Sequence, residues 1–188
     1  YASRGRYRRS PDLAGAHFVK GWDFVDRDPY PEDHNGHGTH VASTIAERTN
    51  NGIALTGLAY EARIMPIRVL NSRGEGDARD IAAGVRFATR HHANIINLSL
   101  EFSASVRARE IRPLLRALAA AHRKGILLVA ASGNEGASSV VYPARAPNVI
   151  SVGATTEHGC LSDFSNYGPG LDLVAPGGGS DADLPGDP

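Results

Sequence analysis

Three histidines, His34, His37 and His40, fall within seven positions of the segment DHNGHGTHVAS (33–43), and two glycines interrupt them. Imidazoles so placed invite two kinds of chemistry. Spacing by three would set the rings on one face of a helix, where they could hold zinc. Gly36 and Gly38 weigh against this, because each glycine costs a helix interior about 1 kcal/mol relative to alanine and a continuous helix across 34–40 is disfavoured. The other chemistry is general base catalysis: His37 stands just before an apolar helical pattern, held by glycine-flanked backbone, while His40 packs or caps one turn further on. A base needs a fixed orientation and a pKa near working pH, and histidine at a rigid helix start supplies both. Spacing alone leaves the two open.

The elements that must position these groups alternate along the chain. GWDFV (21–25) predicts a short strand, GTHVASTIAER (38–48) a helix capped by Thr39, and EARIMPIRVL (61–70) a further strand followed by the turn NSRGEGD. Ile81, Val85 and Ala88 recur at helical spacing up to RHHA; NIINLSL (94–100) is an apolar run of strand length. Ile111, Leu114, Leu115, Leu118 and Ala119 form the stripe of another helix, with Pro113 in its first turn and Gly125 as its stop. ILLVAAS (126–132), NVISVGA (148–154) and LDLVA (171–175) complete the strands. Doubly apolar strands alternating with helices predict a three-layer α/β domain, a mostly parallel β-sheet with helices on both faces. Ligands of such sheets bind beyond the carboxyl ends of the strands, which here carry Asn97 and Ser99, and Ser132, Gly133 and Asn134.

Composition narrows the field. The 188 residues suit one core, and 20 basic against 20 acidic residues leave no field that invites nucleic acid or an anionic membrane, although SRGRYRRS (3–10) is locally basic and predicts a solvated terminus. Cys160 is the single cysteine, so no internal disulfide forms. No apolar run approaches the roughly 18 residues of a membrane span.

NGHGTHVAS resembles the histidine motif of the subtilisin-like serine proteases, the subtilases, and the likeness continues in order. SPDLAG (10–15) is similar to the segment preceding that histidine, IINLSL to the substrate-binding strand, and VAASGNEG (129–136) to the stretch holding the oxyanion asparagine. YPARAPNVISVGAT and FSNYGPGLDLVAPG match the segments beyond. The resemblance implies a serine endopeptidase acting on protein or peptide substrates by a Ser-His-Asp mechanism, with His37 as general base and Asn134 as oxyanion donor. Ser99 and Leu100 would pair with substrate backbone, Gly74 to Gly76 would form the other wall, and Gly133 would line the site. It further implies structural calcium held by Asp12, the Asn51 side chain and the carbonyls of Thr49, Ile53 and Leu55; no cofactor takes part in the chemistry. An extracellular monomer, without nucleic acid or membrane partners, completes the expectation.

The sequence departs from the family pattern in three places. Where the acid of the triad is expected, counting back from Pro11 lands on Ser3 and Arg4. No segment matches the nucleophile motif, since GGSDA (178–182) has no helix behind it, so residues 1–177 are expected to be a partial peptidase domain, inactive alone, and 178–188 a Gly/Pro/Asp-rich loop or tail. A catalytically dead, peptide-binding family member is the alternative. Finally, Glu101 stands where the family usually has glycine; with Glu75 and Asp77 it could favour basic substrate residues or narrow the cleft.

Overall fold

Pro66 has no N–H to give to a ladder, and the run 61–70 accordingly forms two short strands where the sequence predicts one. The computed structural model describes residues 10–53 and 55–182. In it β1 (His17–Phe18) pairs in parallel with β3 (Arg63–Ile64), and β2 (Trp22–Asp23) with β4 (Ile67–Arg68). The Pro66 carbonyl still takes part, accepting the Trp22 N–H at 3.2 Å. Two residues are too few to display an alternation, which is why β1 leaves no sequence signal.

The chain divides into two compact units, residues 1–91 and 92–188. In the first, α1 (His37–Ala46) meets β3 and α2 (Ala78–Arg90) meets β4. Asp77 caps α2, its Oδ1 accepting the Arg79 N–H at 2.6 Å, and Ile81, Val85 and Ala88 are buried as their spacing predicts. Phe87 meets Phe24 edge-on, with ring centroids 6.1 Å apart. Asp23 is only 1% exposed, yet its Oδ2 lies 2.8 Å from Arg68 Nη1 and its Oδ1 accepts the N–H groups of Val25 and Asp26. A buried charge needs such company.

In the second unit β5 (Ile95–Leu98), β6 (Leu127–Ala131), β7 (Ile150–Thr155) and β8 (Leu173–Pro176) lie side by side in chain order, every neighbouring pair parallel. Parallel neighbours need a crossover, and α3 (Arg112–Arg123), packed on β6, supplies the one between β5 and β6. Pro113 sits in its first turn, where the absent N–H costs nothing, and Leu114 and Leu118 are fully buried. Alternate residues Ile96, Leu98, Leu128 and Ala130 are buried while Ile95 and Leu127 face out.

These are the elements of a three-layer α/β protein with mostly parallel strands. Beyond β8 the chain runs as a loop to Ala182, its course fixed by the Asp163 N–H on the Ser180 carbonyl at 2.8 Å and the Ala182 N–H on the Leu161 carbonyl at 2.9 Å. Residues 183–188 and most of the basic segment 3–10, including Ser3 and Arg4, lie outside the described residues. No helix among the described residues is long and apolar enough to cross a membrane.

Candidate active site

The first unit carries the imidazole. His37 is the first residue of α1 rather than the residue before it, and the N-cap is Gly36 at φ 99°, a left-handed backbone that glycine adopts without strain. Gly36 has no side chain to cap with, and Thr39 does not cap as its sequence position predicts. Asp33 does the work from further back. Its Oδ1 accepts the N–H groups of Asn35 and Gly36 at 2.9 and 2.8 Å, and its Oδ2 those of the Thr39 backbone and hydroxyl, both at 2.7 Å. Partial burial pushes the Asp33 carboxyl upward, but the four donors outweigh it and hold the group below the ordinary aspartate value of 3.8. A single carboxylate thus fixes both sides of the turn that presents His37.

The neighbouring loop is tied to the same turn. Asn35 Oδ1 accepts the His37 N–H at 3.4 Å while its Nδ2 donates to the Ser72 carbonyl at 3.1 Å. Gly74 turns this loop, its N–H on the Asn71 carbonyl, and Gly76 is packed so closely that a Cβ would lie 2.6 Å from the Val69 carbonyl oxygen. His37 is exposed. His40 is also exposed and its ring makes no hydrogen bond to a described residue; its backbone N–H closes the first turn on the Gly36 carbonyl. Among the described residues no group of three or more His, Cys, Asp or Glu is arranged to hold a metal ion.

The second unit carries the amide. Asn134 follows β6 in a loop organised by a residue whose role the sequence reading misses, Asn166, which is wholly buried. The Asn166 Oδ1 accepts the N–H groups of Glu135 and Ala137, both at 3.0 Å, and its backbone N–H and carbonyl bond to Gly133 and the Ser132 hydroxyl. Gly133 has φ 128°, and a Cβ there would lie 2.0 Å from Asn166 Nδ2, so only glycine fits. Asn134 itself is exposed, and its carboxamide has no hydrogen-bond partner among the described residues. Its backbone N–H donates to Glu101 Oε2 at 2.8 Å. Ser99 and Leu100 follow directly on β5, and the Ser99 hydroxyl accepts from Asn97 Nδ2 at 2.9 Å.

A third cluster lies in the first unit. Asp12 is 5% exposed; its Oδ1 accepts from Asn51 Nδ2 at 2.8 Å, while its Oδ2 is buried without a partner among the described residues. An ionised carboxylate left half-satisfied in the interior is costly unless something positive meets it. The carbonyls of Thr49, Ile53 and Leu55 accept no hydrogen bond from described residues. Other aspartates of the first unit are engaged elsewhere: Asp23 and Asp26 serve Arg68, and Asp33 serves the α1 turn. Asp28 Oδ1 accepts the Tyr30 N–H.

The chain belongs to the subtilase family, whose model matches residues 4–186. It is 44% identical over 167 residues to the thermophilic serine proteinase of Bacillus sp. (strain AK1), covering 89% of this chain and 40% of that protein. With subtilisin BL of Lederbergia lenta the identity is 42% over 179 residues, 94% of this chain and 62% of the relative. Among solved structures, a cold adapted subtilisin-like serine proteinase superposes with TM-score 0.77 at 35% identity, over 89% of this chain and 57% of the other, and sphericase with 0.75 at 31%, over 89% and 61%. The chain therefore spans about two fifths of the first of these relatives and three fifths of the second.

Proposed function

We propose that this chain is part of a serine endopeptidase in which His37 is the general base and the Asn134 carboxamide donates to the oxyanion of the tetrahedral intermediate. The observation that carries the reading is the loop at 132–137: a buried asparagine and a forced glycine hold it in place, and it presents the Asn134 carboxamide, a hydrogen-bond donor, exposed and without a partner among the described residues. Preorganised donors of this kind cost no rearrangement when charge develops. The helix start at His37 serves the other half of the chemistry, taking the hydroxyl proton of a serine and returning it to the leaving amine. Ser99 and Leu100, which follow directly on β5, would pair with a substrate strand, with Gly74, Gly76 and Gly133 allowing close approach of backbone.

Calcium fits the Asp12 cluster. Asp12 and the Asn51 side chain, with the carbonyls of Thr49, Ile53 and Leu55, would give an all-oxygen set for a hard cation, and the orphaned Asp12 Oδ2 supports it. The ion would stabilise the loop and take no part in catalysis. Residues 1–177 are taken as part of the peptidase domain and 178–188 as a loop or tail, in an extracellular monomer that acts on protein substrates.

The full-length gene product tests the reading. A fluorophosphonate probe should label one serine, and peptide anilide hydrolysis should vanish in His37→Ala. Asn134→Ala should lose about 10²–10³ in kcat with little change in KM, a figure carried over from a subtilisin. Absence of labelling, with peptides still bound, would instead favour a catalytically inactive peptide-binding member of the family.

A further inference from the structure

Asn134 presents two donors, and only one is free. Its backbone N–H is taken by the carboxylate of Glu101, at 2.8 Å, so a full negative charge is fastened to the very residue whose side chain is assigned to an oxyanion. Glu101 reaches it from the loop beyond β5, where the next residue is pinned by the Phe102 N–H on the Tyr142 carbonyl at 2.8 Å. Its other oxygen, Oε1, accepts no hydrogen bond, and no lysine, arginine or histidine among the described residues lies within ion-pair distance of the carboxylate. The side chain is exposed at the carboxyl ends of two adjacent parallel strands, the edge where ligands of such sheets bind.

A fixed anion beside a site that must stabilise a second anion works against the chemistry unless a cation intervenes. Nothing in the described protein supplies that cation. We propose that Glu101 makes the site selective for peptides bearing a lysine or arginine side chain next to the bond to be cut, the substrate cation pairing with Oε1 while Oε2 stays on the Asn134 N–H. The single backbone bond matters here, because it holds a long and otherwise mobile carboxylate in place before the substrate arrives. This rests on the reading of Asn134 as oxyanion donor, and deepens it to a substrate class.

The test measures binding as well as cleavage, on the full-length protein. Blocked tetrapeptide amides ending in arginine, leucine or glutamate are titrated calorimetrically against the wild type, Glu101→Gln and Glu101→Lys. The wild type should bind the arginine peptide about tenfold more tightly than the leucine peptide at low ionic strength, an advantage that salt erodes. Glu101→Gln keeps an oxygen for the Asn134 N–H, so it should retain the thermal midpoint and lose the preference; Glu101→Lys should turn it toward glutamate. Equal arginine-to-leucine ratios in the wild type and Glu101→Gln, or no binding of any of the peptides, overturn the proposal. Hydrolysis of the matching anilides is followed in parallel. Binding with the expected preference but without hydrolysis upholds charge selection and defeats the proteolytic reading. Hydrolysis with no Glu101-dependent preference does the reverse.

Discussion

Asp33 shows how much can rest on a side chain that performs no chemistry. Four hydrogen bonds converge on its carboxylate from the turn that presents His37. Replacing it by asparagine removes the charge and leaves too few acceptor sites for four donors, so a loss of about 1–2 kcal/mol is expected in urea unfolding at neutral pH. The acid limb carries a sharper expectation. A carboxyl held below 3.8 in the folded state stabilises the fold above its unfolded pKa and gives that up as pH falls through the lower folded value. Asp172 shares the direction, held down by the N–H and hydroxyl of Ser151, as does Asp181 through the Thr156 hydroxyl. Stability should therefore drop below about pH 4, and drop less steeply in Asp33→Asn. Identical slopes in both proteins would remove Asp33 from the account. Histidine, glycine and threonine announce the turn in the sequence, but its true cap does not, since the Asp33 to Thr39 contact spans six residues and belongs to neither a helical nor a strand period.

At the scale of elements, what periodicity can express is what the sequence reveals. The stripes of α2 and α3 and the apolar runs of β5, β6, β7 and β8 are legible because each repeats a local rule several times. The break at Pro66 and the strand β1 are not, because two-residue strands owe their existence to a partner about 46 residues away. The loop after β6 is a similar case: Gly133 and Asn134 stand out in VAASGNEG, whereas Asn166, which shapes it, lies 29 residues beyond the nearest N–H that it accepts. Asn166→Ala should strand the N–H groups of Glu135 and Ala137 in a part-buried loop and cost about 2–4 kcal/mol by denaturant unfolding. Gly133→Ala should be at least as damaging, since the added methyl meets Asn166 Nδ2 at 2.0 Å in a backbone region that alanine avoids. A core reference is available in Leu114→Ala, expected to lose about 2–5 kcal/mol from a side chain with no exposed surface. If Asn166→Ala matched the wild type in midpoint while Leu114→Ala fell as expected, the loop would not depend on its buried amide.

For the molecule as a whole, the two units offer a way to locate the cation without a functional assay. The candidate ligands Asp12, Thr49, Asn51, Ile53 and Leu55 all belong to residues 1–91, and the Arg48 N–H on the Asp12 carbonyl, at 3.2 Å, ties the segment before β1 to the stretch that follows α1. An ion bridging these two stretches would stabilise the folded form by mass action, about 2.7 kcal/mol at a hundredfold excess over Kd. The stabilisation should be local before it is global. Hydrogen exchange with and without calcium should show slower exchange at 12–16 and 47–57, and at the C-terminal end of α1, while α3 and β6 in the second unit keep their rates. Asp12→Asn, which keeps the Asn51 contact possible but cannot offer a charged oxygen, should abolish both the protection and the calcium-dependent rise in thermal midpoint. Protection spread evenly over both units would point to a different site, and protection that survives Asp12→Asn would leave the buried, unpartnered oxygen without an explanation.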